Sequence, residues 1–148
     1  MKKIIIALIL VISSINAYSQ FDIPKGADKI VIKNDRTAQQ NFLLSKQILA
    51  DNSIEIDKQD GDIHQVKSGK VKLNNYAYYI MLISSKDSLI SITGTWANTI
   101  TVQTSSLSLP PTAYTVRNKG SDKIVFTKMD DFATKFGGKK EYLLTSTK

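Results

Sequence analysis

Apolar and polar residues recur along the chain with two periods, one typical of strands and one typical of helices. The apolar run of Lys29–Lys33 (KIVIK) predicts a short strand. Apolar residues then recur at helical spacing up to about Ala50. Thr37 and Gln40 form a capping-box pattern at the start of this stretch, and Asp35 is the alternative cap. This part of the chain therefore predicts a strand followed by a helix.

Several strands are predicted between this helix and residue 96. In the first of them, Ile54 and Ile56 alternate with polar residues and are expected to point inward. Asp60 and Gly61 then form the strongest hairpin dipeptide in the chain. Lys70–Leu73 is a further short candidate. The four main strand segments are Ser53–Lys58, Asp62–Lys67, Tyr76–Ser84 and Ser88–Trp96.

A second amphipathic helix is predicted near the end of the sequence. Gly137-Gly138 ends it, and Glu141–Thr145 (EYLLT) is a candidate for a last short strand. Residues 103–120 precede this helix and are rich in Ser, Thr and Pro, which predicts either an ordered excursion or a flexible loop. The apolar stripe of this helix consists of Phe126, Met129, Phe132, Ala133 and Phe136.

The register of the last two main strands follows from the turn between them. If Lys86-Asp87 is a two-residue turn, apolar residues face one another on one side of the hairpin, and we expect this side to be the core under the helices. The expected pairs are Ile83 with Ile90, Met81 with Ile92, Tyr79 with Gly94 and Ala77 with Trp96.

The opposite side of the same hairpin combines apolar and hydroxyl side chains. The expected pairs there are Leu82 with Ser91, Ile80 with Thr93 and Tyr78 with Thr95. One interpretation is that residues 103–120 fold back over this side and make it a second small core, since exposed apolar patches are rare on monomers. The other is a binding surface, because apolar contact combined with hydroxyl hydrogen bonds is typical of interfaces.

The predicted order is β-α-β-β-β-β-α with a candidate final strand, which gives an α+β two-layer sandwich with two helices on one face of an antiparallel sheet. Residues 29–96, FTKMDDFA at 126–133 and GGKKEY at 137–142 resemble secreted bacterial domains of unknown function. Trp96 and the two glycines carry this likeness together with the core pattern. The resemblance implies a TATA-binding-protein-like fold and assigns no activity.

The first residues have the layout of a secretory signal peptide. Lys2 and Lys3 precede the apolar run Ile4–Ile12, and small residues then lead to a cleavage site that we place between Ser19 and Gln20. The competing interpretation is an uncleaved membrane anchor. Nine apolar residues rise only about 13 Å as a helix, against a hydrocarbon core of about 30 Å. We therefore predict a cleaved leader (residues 1–19) and a single domain (residues 20–148).

Charge and cysteine content narrow the compartment and the partners. The chain has no cysteine, which argues against a lipoprotein anchor and a disulfide-rich domain and favours a bacterial periplasmic or secreted protein. The net charge is +7, and removing Lys2 and Lys3 leaves +5. The lysines are scattered along the sequence, which is typical of a mildly basic, solvated surface. Export makes nucleic acid a poor partner, and no membrane span is expected after cleavage.

Sequence signals for an enzyme or a metal site are weak. His64 is the single histidine and has no cysteine or second histidine to act with, so we interpret it as an exposed or edge residue. Asp57, Asp60 and Asp62 surround a turn glycine, but they offer too few oxygen ligands for calcium. No glycine-rich phosphate cradle is present, and we expect no catalytic residues, no cofactor and no metal.

Two functional hypotheses follow. The first is a non-catalytic binding domain of the cell envelope, which binds an envelope protein, a peptide or a glycan through the side that carries Tyr78. The second is a small cell-wall or glycan hydrolase that uses two carboxylates, for which Glu55, Asp57 and Glu141 are the strand-borne candidates. Homodimerisation through an edge strand or the open sheet face is a structural alternative.

Overall fold

The computed structural model describes residues 23–99, 102–104, 107–109 and 111–145, and the predicted leader lies outside them. Within these ranges, two α-helices lie on a sheet of eight strands, and two short strands pair with each other. The strands are β1 (Lys29–Lys33), β2 (Ile56–Asp60), β3 (Gln65–Ser68), β4 (Val71–Asn74), β5 (Ala77–Lys86), β6 (Leu89–Asn98), β7 (Val102–Thr104), β8 (Leu107–Leu109), β9 (Ala113–Thr115) and β10 (Lys139–Leu143). The helices are α1 (Ala38–Asp51) and α2 (Lys123–Thr134), and a 3₁₀ turn spans Gly120–Asp122.

The main sheet is antiparallel and has the order β10-β1-β6-β5-β3-β2. Strand β4 pairs with β5, and β9 pairs with β6. The predicted fold class, an α+β sandwich, is confirmed. The two candidate strands, Lys70–Leu73 and Glu141–Thr145, correspond to β4 and β10 of the main sheet, with shifted bounds. The element order is longer than predicted, because residues 103–120 contribute β8, β9 and most of β7.

Both helices contribute to one hydrophobic core on the same side of the sheet. All of the predicted apolar stripe of the second helix is buried, although Phe136 lies just beyond the end of α2. The sheet contributes Ile30, Ile32, Met81, Ile83, Ile90 and Ile92, all 0% exposed. The helices contribute Phe42, Ile48, Leu49, Phe126, Met129, Phe132 and Ala133. Burial of these side chains is the main stabilising contribution to the fold.

The first helix begins as predicted. The Thr37 hydroxyl accepts a hydrogen bond from the Gln40 backbone N–H (3.2 Å), and the Gln40 side chain accepts one from the Thr37 backbone N–H (2.9 Å). The fully buried Asn41 side chain donates to the Lys86 carbonyl (2.9 Å). This contact fastens the start of α1 to the turn between β5 and β6.

The predicted register of β5 and β6 is wrong by two residues, because the two-residue turn is Asp87-Ser88 and not Lys86-Asp87. Contacts with the segment that leads into α1 fix the turn there. The Asp87 carboxylate accepts a hydrogen bond from the Ala38 backbone N–H (2.7 Å), and the Ser88 N–H donates to the Arg36 carbonyl (2.7 Å). A shift of two residues keeps every side chain on its predicted face. The observed core-side pairs are Ile83 with Ile92, Met81 with Gly94 and Tyr79 with Trp96.

Gly94 makes room for the second helix. A Cβ atom at this position would lie 2.5 Å from the sulfur of Met129, which is fully buried on α2. We predicted that Tyr79 covers this glycine, but Tyr79 lies opposite Trp96. The absent side chain therefore accommodates a helix residue and not a cross-strand tyrosine.

Ile56 is less buried than the predicted inward orientation implies. It pairs with Ser68, which is 0% exposed, and so lies on the core side, but β2 is an edge strand and leaves Ile56 36% exposed. A β-bulge between Ile56 and Lys58 then interrupts the alternation. Ile54 packs against the core as predicted, although it precedes the first residue of β2.

Candidate binding face

The side of the sheet opposite the helices, which we call the open face, carries the six side chains predicted to bind a partner. Burial alternates along β5, and along β6 as far as Thr95, so that the sequence neighbours of these side chains up to Gly94 lie on the core side. The predicted cross-strand partners are wrong by the register shift: Leu82 faces Thr93, Ile80 faces Thr95 and Tyr78 faces Ala97. The six side chains are Tyr78, Ile80, Leu82, Ser91, Thr93 and Thr95.

These side chains are partly accessible. Leu82 is 37% exposed and Thr95 is exposed, whereas the other four are half-buried. The described end of the excursion, strand β9, lies beside β6 in the plane of the sheet and so extends the sheet instead of crossing its face. Strands β7 and β8 form a separate two-stranded sheet.

Lysines from six strands meet on the open face. Residues that pair across strands project to the same side, so the register assigns each lysine to a face. Lys67 faces Leu82, for example, and Lys72 faces Tyr78. The lysines on the open face are Lys29, Lys33, Lys58, Lys67, Lys72, Lys86 and Lys139.

Three carboxylates accompany these seven lysines, so the open face is strongly basic. Asp60 and Glu141 lie there by register, and Asp57 lies there because it pairs with Lys67. The remaining described residues include ten Lys and Arg and nine Asp and Glu, which nearly cancel. The positive excess of the described domain is therefore concentrated on one face.

Ion pairs neutralise part of this charge, and Glu141 takes part in two of them, with Lys33 and, at 3.9 Å, with Lys139. Lys67 Nζ lies 2.6 Å from Asp57, and Lys33 Nζ lies 2.9 Å from Glu141. The hydrogen bond from the lysine lowers the pKa of Asp57, and likewise that of Glu141. These pairs are exposed and contribute little stability.

Other lysines of this face remain without a carboxylate partner within the described ranges. No carboxylate lies within ion-pair distance of Lys29, Lys58, Lys72 or Lys86. The ammonium group of a further lysine, Lys70, lies 4.7 Å from the centre of the Tyr78 ring, within the range of a cation–π contact.

Two of the three carboxylates proposed for a hydrolase, Asp57 and Glu141, lie far apart. Asp57 lies on β2 at one edge of the sheet, and Glu141 lies on β10 at the other. Five strand spacings separate these two edges, which is about 24 Å along the sheet. Glu55 is exposed and lies just before β2. The lowered pKa of Asp57 and of Glu141 also disfavours a general acid, which needs a raised pKa.

His64 does not lie on a strand as predicted, because β3 begins at Gln65. It occupies the turn after β2 with a positive φ of 50°. Its Nε2 atom is 2.9 Å from the Gln39 side-chain oxygen, and its ring packs edge-on against Phe42. These contacts fasten the β2–β3 turn to α1, which is a structural role.

Two of the three aspartates considered as calcium ligands, Asp57 and Asp60, make local contacts. Asp60 accepts hydrogen bonds from the backbone N–H groups of Asp62 and Ile63, which is an Asx-type turn. Asp57 is paired with Lys67. Across the part of the chain that the structure describes, no group of three or more His, Cys, Asp or Glu side chains is arranged to hold a metal ion.

One polar cluster was not found from the sequence. Asp130 on α2 accepts hydrogen bonds from Lys140 Nζ (2.7 Å) and from the Tyr142 hydroxyl (2.9 Å), both on β10. Burial and the Asp130 hydrogen bond raise the pKa of Tyr142. Burial alone would lower the pKa of Lys140, but the contact with Asp130 outweighs it and raises that pKa. A neutral tyrosine and a paired ammonium join helix to strand and supply no nucleophile.

Two polar clefts lie away from the stripe of Tyr78, Ile80 and Leu82. One, of about 510 Å³, is lined by Lys33, Asn34, Asp35, Arg36 and Gly138. The other, of about 330 Å³, has Lys25, Arg117 and Lys119 on its wall, together with Asp28, which accepts two hydrogen bonds from Thr145. Neither of these two clefts brings two carboxylates together.

The helices of the described residues are too short or too polar to cross a membrane. Comparison of the chain with protein-family models gives no match, and comparison with curated proteins finds none that is similar. The resemblance to secreted domains with a TATA-binding-protein-like fold therefore stays a prediction.

Proposed function

We propose that the protein is an exported, non-catalytic binding domain of the bacterial cell envelope, and that it contacts its partner through the open face. The observation that carries the proposal is the partly accessible stripe of Tyr78, Ile80 and Leu82 on a sheet whose other side is covered by two helices. Apolar side chains bordered by hydroxyl groups and charges have the composition of an interface, with a hydrophobic centre and a polar rim.

The arrangement of acidic residues supports binding over hydrolysis. A glycosidase needs two carboxyl groups within about 10 Å of each other in one cleft. Asp57 and Glu141 lie on opposite edge strands and are each paired with a lysine. Nothing in the described residues favours the hydrolase over the binding domain.

Site-specific photo-crosslinking in the producing cells tests the proposal. A photoreactive amino acid at Leu82 probes the open face, and the same residue at Leu43, which is 52% exposed on α1, is the matched control. We expect a discrete crosslinked product from position 82 and none from position 43. Ile80→Ser, in a protein that still folds by circular dichroism, should abolish the product. Equal crosslinking from both positions, or none from position 82, would contradict the proposal.

Export is tested separately by the N-terminus of the protein isolated from the producing cells. The charged start, the apolar run Ile4–Ile12 and the small residues before Gln20 support cleavage by a signal peptidase. We expect the mature chain to begin at Gln20. A chain that retains Met1 would contradict export by a cleaved signal.

A further inference from the structure

We infer that the partner is an acidic amphipathic helix of another protein, which lies on the open face with its apolar side over Tyr78, Ile80 and Leu82. This inference rests on the proposed function and names the chemistry of the partner. The argument has three parts: the apolar stripe, the lysines beside it and the hydrogen-bonding state of the sheet.

The stripe has the length of two helical turns. Tyr78 and Leu82 are four residues apart on β5, which is about 13 Å along a strand. Two turns of an α-helix rise about 11 Å, so apolar residues at positions i, i+3 or i+4, and i+7 can all contact the stripe.

Lysines lie on both sides of the stripe. One row across the sheet runs through Leu82, with Thr93 and then Lys29 on one side. Lys67 and then Lys58 continue the row on the other side. Adjacent positions in this row are about 4.8 Å apart, so Lys29 and Lys58 lie about 19 Å from each other. Acidic residues that flank the apolar side of a helix would meet these lysines.

The hydrogen bonds of the sheet favour a helix over an extended peptide. Strands β5 and β6 are paired on both sides, so the centre of the open face offers side chains and no unpaired row of backbone groups. Extended peptides gain affinity by adding to a sheet edge, whereas a helix already satisfies its own backbone. A helix is therefore the segment that suits this position.

Two other occupants fit less well. A second copy of the chain would bring two strongly basic faces together, and like charges across an interface disfavour association. An acidic glycan would use an aromatic platform, but Lys70 lies over the ring of Tyr78, and the neighbouring Ile80 and Leu82 offer no hydrogen-bonding atom.

The test uses a fluorescein-labelled, 18-residue peptide of Leu and Glu with leucines at helical spacing, and measures its binding to the mature protein by anisotropy. The open-face variant is Lys29→Glu with Lys58→Glu. The matched control is Lys123→Glu with Lys128→Glu on exposed positions of α2, which changes the net charge equally. We expect the open-face variant to bind at least tenfold more weakly and the control variant to bind within about twofold of the parent. Binding should also weaken as salt is added.

Several results would overturn the inference. One is that a peptide with Lys in place of Glu binds as tightly as the acidic peptide. Another is that the two charge variants lose the same amount of affinity. The third is that the acidic peptide does not bind. Tighter binding of polygalacturonate or of phosphatidylglycerol vesicles would assign the face to a glycan or a membrane instead. If crosslinking from position 82 persists while the peptide fails, the partner chemistry is wrong and the proposed function stands. If both fail, the proposed function is wrong as well.

Discussion

The two faces of the main sheet differ in what covers them, although consecutive residues of one strand supply both. On β5, Met81 and Ile83 are 0% exposed beneath the helices, while Leu82 between them is 37% exposed. Strand β5 is apolar on both faces and does not reveal the difference. Strand β6 does, because Ile90 and Ile92 alternate with hydroxyl residues. An alternating strand therefore identifies the core face for its uniformly apolar neighbour.

The largest expected effect compares Ile83 with Leu82, its neighbour on the other face. Ile83→Ala removes buried methyl groups and leaves a cavity, so it should lower the free energy of unfolding by about 2–5 kcal/mol. Leu82→Ala removes a partly exposed side chain and should cost less than about 1 kcal/mol. Urea denaturation of both variants measures the difference. Equal losses would mean that the open face is packed as tightly as the core.

The next largest effect is expected for Gly94→Ala, which tests how closely α2 approaches the sheet. In Gly94→Ala, the added Cβ atom would collide with the Met129 sulfur, so we expect a loss of about 1–3 kcal/mol. Met129→Ala vacates that space, and the double variant should be more stable than the sum of the two losses implies. Strictly additive losses would show that Met129 does not lie over Gly94.

The smallest expected effect is a loss of stability at alkaline pH. It arises when titratable side chains on the helix-covered side of the sheet lose their protons. Burial raises the pKa of Tyr79 and of Tyr142, and the contact with Asp130 gives a net rise in the pKa of Lys140. The folded state therefore holds these protons more tightly than the unfolded state does. Their contribution is complete below the unfolded pKa of about 10 and is lost as the pH rises through the folded values.

The free energy of unfolding, measured between about pH 8 and 11, should therefore fall above about pH 10. Tyr142→Phe removes one of these groups and should make the fall shallower. Tyr76→Phe is the matched control at a residue 64% exposed, and it should leave the slope as in the parent. A slope that Tyr142→Phe leaves unchanged would show that the hydroxyl is not buried against Asp130.

Local patterns predicted the elements of the fold better than their connections. The capping box at Thr37 and the stripe around Met129 depend on residues close in sequence, and both are confirmed. The register of β5 and β6 depends on a turn held by Arg36 and Ala38, about fifty residues earlier, which a local pattern does not contain. The partial exposure of Ile56 follows from the position of β2 at the edge of the sheet, which alternation within the strand does not reveal.

The sequence predicted the apolar stripe of the candidate face but not its lysines. Alternation along one hairpin placed Tyr78 and its neighbours together, because the period of a strand is a local property. The lysines looked scattered, since Lys29, Lys58 and Lys139 lie on three strands far apart in sequence. Only the pairing of those strands gathers them on one side, so the basic character of the face required the structure.

Cysteine labelling tests most directly the claim that helices shield one face and leave the other accessible. The chain has no cysteine, so the single variants Leu82→Cys and Ile83→Cys can be compared without background. The thiol of Leu82→Cys should react with a small thiol reagent within about tenfold of its rate in urea. The thiol of Ile83→Cys should react at least about a hundredfold more slowly than in urea, because its reaction requires unfolding. Equal protection of the two thiols in the folded protein would contradict the account.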